Sequence, residues 1–415
     1  MTGRKIFGLV GRTLGHSWSP DIHARFGLEN YRLIELAPDA LPAFLSRPDL
    51  GGVNVTIPYK KSVLPLCAGI DPDAQAIGSA NTLVRRPDGT LYAWNTDAGG
   101  FRFMARRAGI SLSGRKVLIL GSGGASLTVQ AAARSAGAAE VTVISRSGPD
   151  HYGTLSRHAD AEVIVNATPV GMYPGNGAAP VDLRVFPACR GVLDLIYNPL
   201  ATALILQARA LGIPCSNGLP MLVEQARLAQ EHFRDTVIPP DRTEQVLREL
   251  QAQHTNLVLI GMPGCGKSTV GQILARRTGR TLIDIDRQVA DRCGCSIEAL
   301  FAREGEAAFR ALEREAIADA GRQTGVIIAT GGGAVKDPRN DAPLRQNGRV
   351  YQLRRRTELL ATQGRPLSQG ADLSVLERER EPLYARVRDA AVDNNRPAEE
   401  TAAAVWRDFC EHTGS

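Results

Sequence analysis

The sequence predicts an α/β protein built from an N-terminal α/β domain, a Rossmann-like dinucleotide-binding domain, and a P-loop domain with a parallel sheet. Short apolar strands alternate with helices along most of the chain, which is typical of doubly wound parallel sheets. Glycine-rich turns at 121–126 and 261–269 each follow a strand and open a helix. The length of 415 residues is enough for two or three domains, each with its own core.

After the first domain, the predicted strands in chain order are 116–120, 141–144, 161–165, 192–196, 256–260, 282–286 and 326–330. The predicted helices are 125–136, 199–210, 220–233, 241–253 and 269–277. Asp241 and Glu244 have the spacing of a capping box for the fourth helix.

The domain boundaries follow from the same pattern. Residues 1 to about 98 form the first domain, to which the helices after 217 return, and residues from about 99 to 217 form the dinucleotide-binding domain. The run from Val237 to Pro240 breaks the pattern, and a further α/β unit begins near His254. The predicted division is therefore 1–253 and 254–415.

Composition excludes several classes of protein. The net charge of +6 is modest, and the sequence lacks a basic block apart from Arg354 to Arg356, so nucleic-acid binding is not expected. No apolar run approaches the roughly 20 residues of a membrane span, and the N-terminus does not read as a signal peptide. The seven cysteines lack a C-x-x-C pair, and no histidine cluster accompanies Cys293 and Cys295 as metal ligands. Free thiols in a reducing cytoplasm are expected.

The first domain carries polar side chains in apolar surroundings. Seven stand out: Ser17, Ser19, Asn54, Thr56, Lys60, Asn81 and Asp97. Strand alternation puts Asn54 and Thr56 on one face, and Pro58 ends that strand and directs Lys60 from the loop. Each residue taken singly is more often a turn cap than a site residue, although lysine is scarce in this arginine-rich chain.

A glycine-rich turn follows the strand at 116–120. It consists of Gly121, Ser122, Gly123, Gly124 and Ala125. Glycines at such a turn let the backbone approach a pyrophosphate at a helix N-terminus, although a plain tight turn has the same pattern. The next strand ends in Ser145, Arg146 and Ser147, where NAD-binding folds usually have an acidic residue. A guanidinium with two hydroxyl neighbours favours a 2′-phosphate, and therefore NADP.

The second glycine-rich turn has the G-x-x-x-x-G-K-[ST] pattern of a phosphate-binding loop. Its ligand-binding part is Gly264, Cys265, Gly266, Lys267, Ser268 and Thr269. In such a loop backbone N–H groups surround phosphate oxygens, the lysine reaches the β and γ oxygens, and the serine hydroxyl binds Mg²⁺.

Further polar residues follow the phosphate-binding loop. Asp284 and Asp286 end a predicted strand on one face. There one carboxylate can serve Mg²⁺ and the other a substrate hydroxyl, or one simply caps a helix while the other faces solvent. Arg310 and Glu313 lie one helical turn apart, and a surface ion pair is the default interpretation. Gly331, Gly332 and Gly333 indicate that something approaches the backbone closely.

Residues 1 to about 253 resemble shikimate dehydrogenase, which reduces 3-dehydroshikimate with NADPH. The resemblance also includes Asn166 to Pro169 and Gly218 to Leu222. It implies Lys60 and Asp97 as the catalytic pair. The substrate contacts that it implies are Ser17, Ser19, Asn54, Thr56, Asn81, Tyr197 and Gln225. The NADP contacts that it implies are Gly121 to Ala125, Ser145 to Ser147, Thr168 and Gly218.

This half departs from the family pattern in two places. The segment from Ile22 to Asn30 is short for the first helix of the family. Asp150 stands where many members have a second phosphate-binding arginine, so the preference for NADP over NAD is expected to be modest.

Residues 254 to about 411 resemble shikimate kinase. The resemblance implies that Asp284 helps to hold Mg²⁺ and that Asp286 binds the hydroxyls of shikimate. Arg310 and Arg380 would clamp its carboxylate, the three glycines would lie against it, and Arg365 would close on the reacting phosphates. Leu359 to Gln363 lack the arginine that packs on the nucleotide base in the family, so adenine binding is expected to be weaker or supplied by Arg354 to Arg356.

The two resemblances imply a bifunctional enzyme for consecutive steps of aromatic amino-acid biosynthesis, using NADP(H), ATP and Mg²⁺. It is expected to be a monomer or homodimer without nucleic-acid or membrane partners. Alternatives are that one half is a ligand-binding regulatory module, that the first half acts on quinate, or that the second acts on another polyol acid such as gluconate.

Overall fold

The structure is a computed structural model and describes residues 5–15, 17–360 and 373–414. The chain divides into two compact units. The first contains the residues up to 172, 178–198 and 204–247, and the second contains 173–177, 199–203 and the residues from 248 onward. The division at 253 and the boundaries within the first half remain predictions.

The first described sheet is mixed. Its strands are β1 (Ile6–Gly11), β2 (Tyr31–Glu35), β3 (Leu50–Val55), β4 (Gly69–Ile70), β5 (Thr82–Arg85) and β6 (Leu91–Trp94). Their spatial order is β2-β1-β3-β5-β6-β4, and β5 runs antiparallel to both of its neighbours. The helices of this region are α1 (Ser19–Arg25), α2 (Leu41–Leu45) and α3 (Pro72–Ile77). Every residue of β3 is buried, so the strand that leads to Thr56 and Lys60 is fixed by the core.

The second described sheet is parallel. Its strands are β7 (Lys116–Leu120), β8 (Glu140–Ile144), β9 (Val163–Asn166), β10 (Gly191–Asp194) and β11 (Cys215–Ser216), in the order β11-β10-β9-β7-β8. The helices from this part of the chain are α4 (Thr96–Arg107), α5 (Gly124–Ser135), α6 (Ala203–Ala210), α7 (Leu219–Arg234) and α8 (Asp241–His254).

Several predicted elements differ at their ends, and two of these differences have a cause in hydrogen bonding. The helix predicted from Pro199 begins only at Ala203, because the backbone N–H groups of Leu200 and Ala201 donate to Asn347 Oδ1 (2.8 Å) and Gln346 O (2.7 Å) within the second unit. The strand predicted to reach 196 ends at Asp194, whose carboxylate accepts from the Ile196 N–H at 3.1 Å.

Helices α4 and α7 pack closely because one contact is made through a glycine. A Cβ on Gly100 would lie 2.5 Å from the carbonyl oxygen of Met221 and 3.2 Å from Gln225 Cβ. Any larger residue at 100 would push α7 away. This contact holds Gln225 of α7 beside the start of α4.

The third described sheet is also parallel. Its strands are β12 (Asn256–Ile260), β13 (Leu282–Asp284), β14 (Ile327–Ala329), β15 (Gly348–Arg354) and β16 (Ala390–Asp393), in the order β13-β14-β12-β15-β16. The associated helices are α9 (Lys267–Thr278), α10 (Ile285–Cys293), α11 (Ile297–Arg322), α12 (Asp341–Arg345), α13 (Leu373–Val387) and α14 (Ala398–Thr413). Strands β12 and β14 are buried along their whole length, as expected for inner strands of a parallel sheet.

The predicted α/β class with parallel sheets is confirmed. No helix within the described residues has both the length and the apolar character that crossing a membrane requires.

His23 of α1 gives the first unit a titratable group inside its core. Its ring stacks on Tyr31 at a centroid distance of 3.8 Å, and neither ring nitrogen has a hydrogen-bond partner in the described part of the chain. Burial lowers the pKa of His23 from its usual 6.5 to about 3. Protonating the buried imidazole therefore opposes folding.

We expect acid to destabilise the chain through His23. Between pH 6.5 and 3 the unfolded chain binds a proton at this residue and the folded chain does not. The free energy of unfolding should therefore fall by about 1.4 kcal/mol for each pH unit lost in this window. Denaturant unfolding of His23→Phe, which keeps a ring against Tyr31, should show a shallower fall with acid. The same change at the exposed His412 should not alter the slope, and equal slopes for wild type and His23→Phe would contradict the assignment.

Candidate active sites

Lys60 and Asp97, two of the polar residues singled out in the first domain, form an ion pair. Lys60 Nζ is 2.6 Å from Asp97 Oδ2, and the two side chains are only 17% and 10% exposed. Asp97 is fixed because it lies in the first turn of α4, where Asn95 caps the helix by accepting from the Ala98 N–H. The backbone of Lys60 is held by its carbonyl, which accepts from the Ala80 N–H at 2.8 Å. The ammonium is therefore held in one place with its counter-ion.

Amides from three distant parts of the chain meet beside this pair. Asn81 Nδ2 donates to Thr96 Oγ1 at 3.0 Å and to Gln225 Oε1 at 3.3 Å. Asn54 Nδ2 donates to Thr82 Oγ1 at 3.0 Å. The fold thus brings together three residues that the sequence placed in one substrate site.

Two hydrogen bonds that orient Asn54 and Asn81 were not predicted from the sequence. The buried Tyr31 hydroxyl donates to Asn54 Oδ1 at 2.8 Å and so orients its amide, but a tyrosine in a strand gives no signal of such a role. The Thr96 backbone N–H donates to Asn81 Oδ1 at 2.7 Å. Its position between Asn95 and Asp97 was the only sequence signal.

The hydroxyl pair of the N-terminal segment is also formed. Ser17 Oγ donates to Ser19 Oγ at 3.0 Å, and Ser19 is buried at the start of α1. The ring of Trp18, between them, lies 5.0 Å from the ring of Tyr197. Burial raises the pKa of the Tyr197 hydroxyl, which therefore stays protonated and able to donate. Thr56 is half-buried after β3.

The turn before α5 combines one tightly packed glycine with two open ones. Gly121 has φ +104°, and a Cβ there would lie 3.0 Å from the Ala167 carbonyl oxygen and 2.9 Å from Thr168 Cγ2. A Cβ on Gly123 or Gly124 would meet nothing within 4 Å. This open space at the N-terminus of a 12-residue helix fits a pyrophosphate.

Thr168 and Gly218 hold neighbouring loops in place. The Thr168 hydroxyl donates to Asn166 Oδ1 at 2.7 Å, and the Asn166 amide donates to Asp194 at 2.9 Å. A Cβ on Gly218 would collide with the carbonyl oxygen of Leu195. Glycine at 218 is therefore required by packing.

The segment after β8 leaves Arg146 and Ser147 exposed, with Ser145 half-buried. The Asp150 carbonyl accepts from the Ser145 N–H at 3.1 Å, and its carboxylate lies 2.9 Å from His158 Nε2. The carboxylate at the position of the family's second arginine therefore has a partner of its own. Its effect on cofactor preference remains a prediction.

The phosphate-binding loop has its lysine turned inward. Gly261, Gly264 and Gly266 have φ values of +143°, +81° and +96°, which residues with a side chain rarely adopt. Lys267 is buried, and its Nζ donates to the carbonyls of Gly261 at 2.9 Å and Met262 at 3.0 Å. The ammonium thus lies inside the loop, where phosphate oxygens can take the place of these carbonyls.

The sequence predicted that Asp284 and Asp286 lie on one face of a strand, and the structure shows that this prediction is wrong. Asp284 ends β13 and caps α10, with its carboxylate accepting from the Arg287 N–H at 3.3 Å. Asp286 therefore lies in the first turn of a helix. Asp284 Oδ2 also accepts from Ser268 Oγ at 2.6 Å, so the capping and loop contacts occur together. Within the described residues, no group of three or more His, Cys, Asp or Glu side chains could hold a metal ion.

The half-buried Arg310 pairs with the buried Glu313, so the surface pair expected by default is wrong. Arg310 Nη1 is 2.6 Å from Glu313 Oε2, and the exposed fractions are 17% and 1%. Helix α11 turns this face inward, and burial raises the pKa of Glu313. Breaking a buried pair of this kind typically costs about 3–5 kcal/mol. Glu313 was treated only as a helix-face partner, although its spacing from Arg310 was the available signal.

Glycines 331–333 bring the backbone against these charged groups. A Cβ on Gly331 would lie 2.5 Å from Glu313 Oε1 and 2.8 Å from Asp286 Oδ1, and one on Gly333 would collide with the Arg310 guanidinium. The Gly332 carbonyl accepts from Arg380 Nη1 at 3.0 Å, and Arg380 is buried. The Tyr384 hydroxyl also donates to this carbonyl, at 2.7 Å. This contact was not predicted from the sequence.

These residues line one cavity of about 450 Å³ together with the phosphate-binding loop. Its lining includes Gly264, Gly266, Lys267, Ser268 and Thr269 of the loop, together with Asp286, Arg310, the three glycines and Arg380. Phe301 and Phe309 provide apolar surface. Arg365, predicted to close on the phosphates, lies outside the described residues.

Family models match both parts of the chain. Residues 9–83 match the shikimate dehydrogenase substrate-binding domain, and residues 263–410 match shikimate kinase. The shikimate dehydrogenase (NADP(+)) of Clostridium perfringens strain SM101 is 32% identical over 270 residues, which cover 60% of this chain and 99% of that protein.

Solved structures agree for the first half. A chorismate mutase/shikimate 5-dehydrogenase fusion protein from Clostridium acetobutylicum is 33% identical, with a TM-score of 0.57, covering 60% of this chain and 98% of that one. Shikimate 5-dehydrogenase from Thermus thermophilus, solved in complex with NADP(H) and shikimate, is 34% identical, with a TM-score of 0.53 and coverages of 59% and 99%.

The folds and sites define a Rossmann-type oxidoreductase followed in the same chain by a P-loop phosphotransferase. The chain belongs to the shikimate dehydrogenase family, and its residues 263–410 form a domain of the shikimate kinase family. The two family resemblances predicted from the sequence are confirmed.

Proposed function

We propose that this chain is a bifunctional enzyme that reduces 3-dehydroshikimate to shikimate with NADPH and then phosphorylates shikimate to shikimate 3-phosphate with ATP. The observation that supports the proposal is that reacting groups lie close together in each half. The first has the Lys60–Asp97 pair at 2.6 Å, and the second has an intact phosphate-binding loop opening into a cavity whose lining includes Arg310 and Arg380.

In the first site, Lys60 would serve as the proton donor. NADPH supplies a hydride to the substrate carbonyl, and the developing alkoxide needs a proton. Lys60 Nζ can give that proton because Asp97 holds the ammonium in position. Ser17, Ser19, Thr56, Tyr197 and the amides would bind the substrate carboxylate and hydroxyls.

For the cofactor, the open backbone at Gly123 and Gly124 would take the pyrophosphate at the N-terminus of α5. Ser122, Ala125 and Thr168 would complete that turn, and Gly218 would shape the pocket by packing. The exposed Arg146, between Ser145 and Ser147, would bind the 2′-phosphate.

We expect Arg146→Ala to raise the KM for NADPH by roughly tenfold or more and to leave that for NADH nearly unchanged. Only NADPH has the 2′-phosphate that the guanidinium would contact. Steady-state kinetics with both cofactors checks this, and Arg134→Ala, on the neighbouring α5, controls for the loss of one positive charge. Equal changes for both cofactors would refute the 2′-phosphate contact.

In the second site, Asp286 would orient the attacking hydroxyl, and Arg310 and Arg380 would hold the substrate carboxylate. Lys267 would exchange the carbonyls of Gly261 and Met262 for phosphate oxygens. Ser268 and Asp284 offer two oxygens 2.6 Å apart, which suit a Mg²⁺ that keeps several waters and phosphate ligands. Arg365 would complete the phosphate site.

A coupled reaction tests the proposal with the full chain. The protein is first given 3-dehydroshikimate and NADPH, and the NADPH absorbance is followed. ATP and Mg²⁺ are then added, and mass spectrometry follows shikimate and its phosphate. Both products are expected. Reduction without phosphorylation, even from added shikimate, would overturn the second activity, and a preference for quinate or gluconate would reassign the corresponding site.

A further inference from the structure

The carboxyl end of β15 brings a cluster of arginines beside the phosphate-binding loop. The first glycine of that loop packs here, since a Cβ on Gly261 would lie 2.6 Å from the carbonyl oxygen of Leu353. Arg354, Arg355 and Arg356 follow directly.

Asn394 fixes the distance between this strand end and the loop. Its backbone N–H donates to the Arg354 carbonyl at 2.7 Å, and its side-chain amide donates to the Cys265 carbonyl at 2.5 Å. Thr401 in turn donates to Asn394 Oδ1 at 2.6 Å. The buried asparagine therefore ties β15, β16 and the loop into one arrangement.

The side chain of Arg354 is occupied by an ion pair. Its guanidinium pairs with Glu381, which also accepts from Arg388 Nη1 at 2.6 Å and from Gln352 at 2.8 Å. Arg356 is exposed, and its backbone N–H donates to Asn395. Arg354 is thus already paired with a carboxylate, and Arg356 is exposed to solvent.

Arg355 differs from both neighbours. Its side chain is half-buried, and its Nε is enclosed without a hydrogen-bond partner in the described part of the chain. A Cβ on Gly266 would lie 3.6 Å from Arg355 Nη1. Gly266 directly precedes α9, where loop N–H groups surround the α- and β-phosphates of a nucleotide. An enclosed donor on a cation costs free energy unless a ligand satisfies it.

We propose that Arg355 binds the α/β-phosphates of the nucleotide on the outer side of the phosphate-binding loop. The inference deepens the proposed kinase activity and rests on it. Arg355 would act as a nucleotide-binding residue and would not contact the phosphate acceptor. If Arg355 contacts phosphate and not the base, its loss should weaken the binding of ATP and GTP by the same factor.

Binding and kinetics of Arg355→Ala in the full chain test the inference. Charge-assisted hydrogen bonds typically account for roughly 10- to 100-fold in affinity. The Kd for Mg²⁺-free ADP, by calorimetry, and the KM for ATP should rise by that factor, while the KM for shikimate changes less than twofold. Arg355→Lys should recover part of the loss, and Arg277→Ala, an exposed arginine near the end of α9, should show none.

Several results would overturn the proposal. One is an unchanged Kd for ADP in Arg355→Ala. Another is a change in the ratio of ATP to GTP affinities, because that would assign Arg355 to the base. Dehydrogenase turnover of the same sample verifies that the variant chain is folded. If the wild type binds ADP but phosphorylates no acceptor, the proposed kinase activity fails while the ADP measurement still decides the role of Arg355.

Discussion

Lys60→Ala is expected to lower dehydrogenase turnover by roughly 10²- to 10⁴-fold, which is the usual scale for loss of a positioned proton donor. The ammonium is 2.6 Å from Asp97 and is largely enclosed. The kinase reaction of the same sample should be unchanged. Stopped-flow or steady-state reduction of 3-dehydroshikimate measures the loss.

Lys61→Ala is the matched control for this experiment. Lys61 is adjacent in sequence and exposed, so its loss removes the same charge without touching the pair. It should retain near-normal turnover. If Lys60→Ala also retained it, Lys60 would not be the proton donor.

Lys267→Ala is expected to reduce phosphoryl transfer by at least roughly 10³-fold with any acceptor, because charge on the transferring phosphate loses its stabilising cation. Asp286→Asn should fail differently. It keeps nucleotide binding but weakens the orientation of the attacking hydroxyl, so the KM for shikimate and kcat should both suffer.

Two measurements separate these outcomes. ADP binding should weaken in Lys267→Ala and persist in Asp286→Asn. Asp291→Asn, the same change on the exposed face of α10, should behave as wild type. Loss of ADP binding in Asp286→Asn would argue against its assignment to the acceptor. Dehydrogenase turnover near the wild-type rate is expected in all three variants.

The parts of the fold predicted from sequence are those set by local pattern. The apolar runs of β7 and β12 and the glycine turns after them were found because strand, turn and helix are adjacent along the chain. The start of α6 was missed because Leu200 and Ala201 bond to Asn347 and Gln346, which are far away in the sequence. Spacing alone carries no information about such partners.

In the candidate sites, too, contacts between residues distant in sequence could not be predicted from local spacing. Asn54, Asn81 and Gln225 were placed in one site only through the family resemblance, since 144 positions separate Asn81 from Gln225. The Arg310–Glu313 spacing predicted a pair, but not that Glu313 would be buried. Burial depends on the glycines at 331–333, which admit the backbone to a position where a side chain would collide.

The inward position of Lys267 has a consequence for nucleotide affinity. Because the ammonium already bonds to the carbonyls of Gly261 and Met262, the loop can keep its shape before any phosphate arrives. Little conformational entropy then remains to be lost on binding, and such preorganisation raises affinity without adding a contact. An enthalpic contribution opposes nucleotide binding, since the two hydrogen bonds from Lys267 to the carbonyls must be exchanged for bonds to phosphate. ATP association should accordingly be limited by this local exchange, and not by folding of the loop.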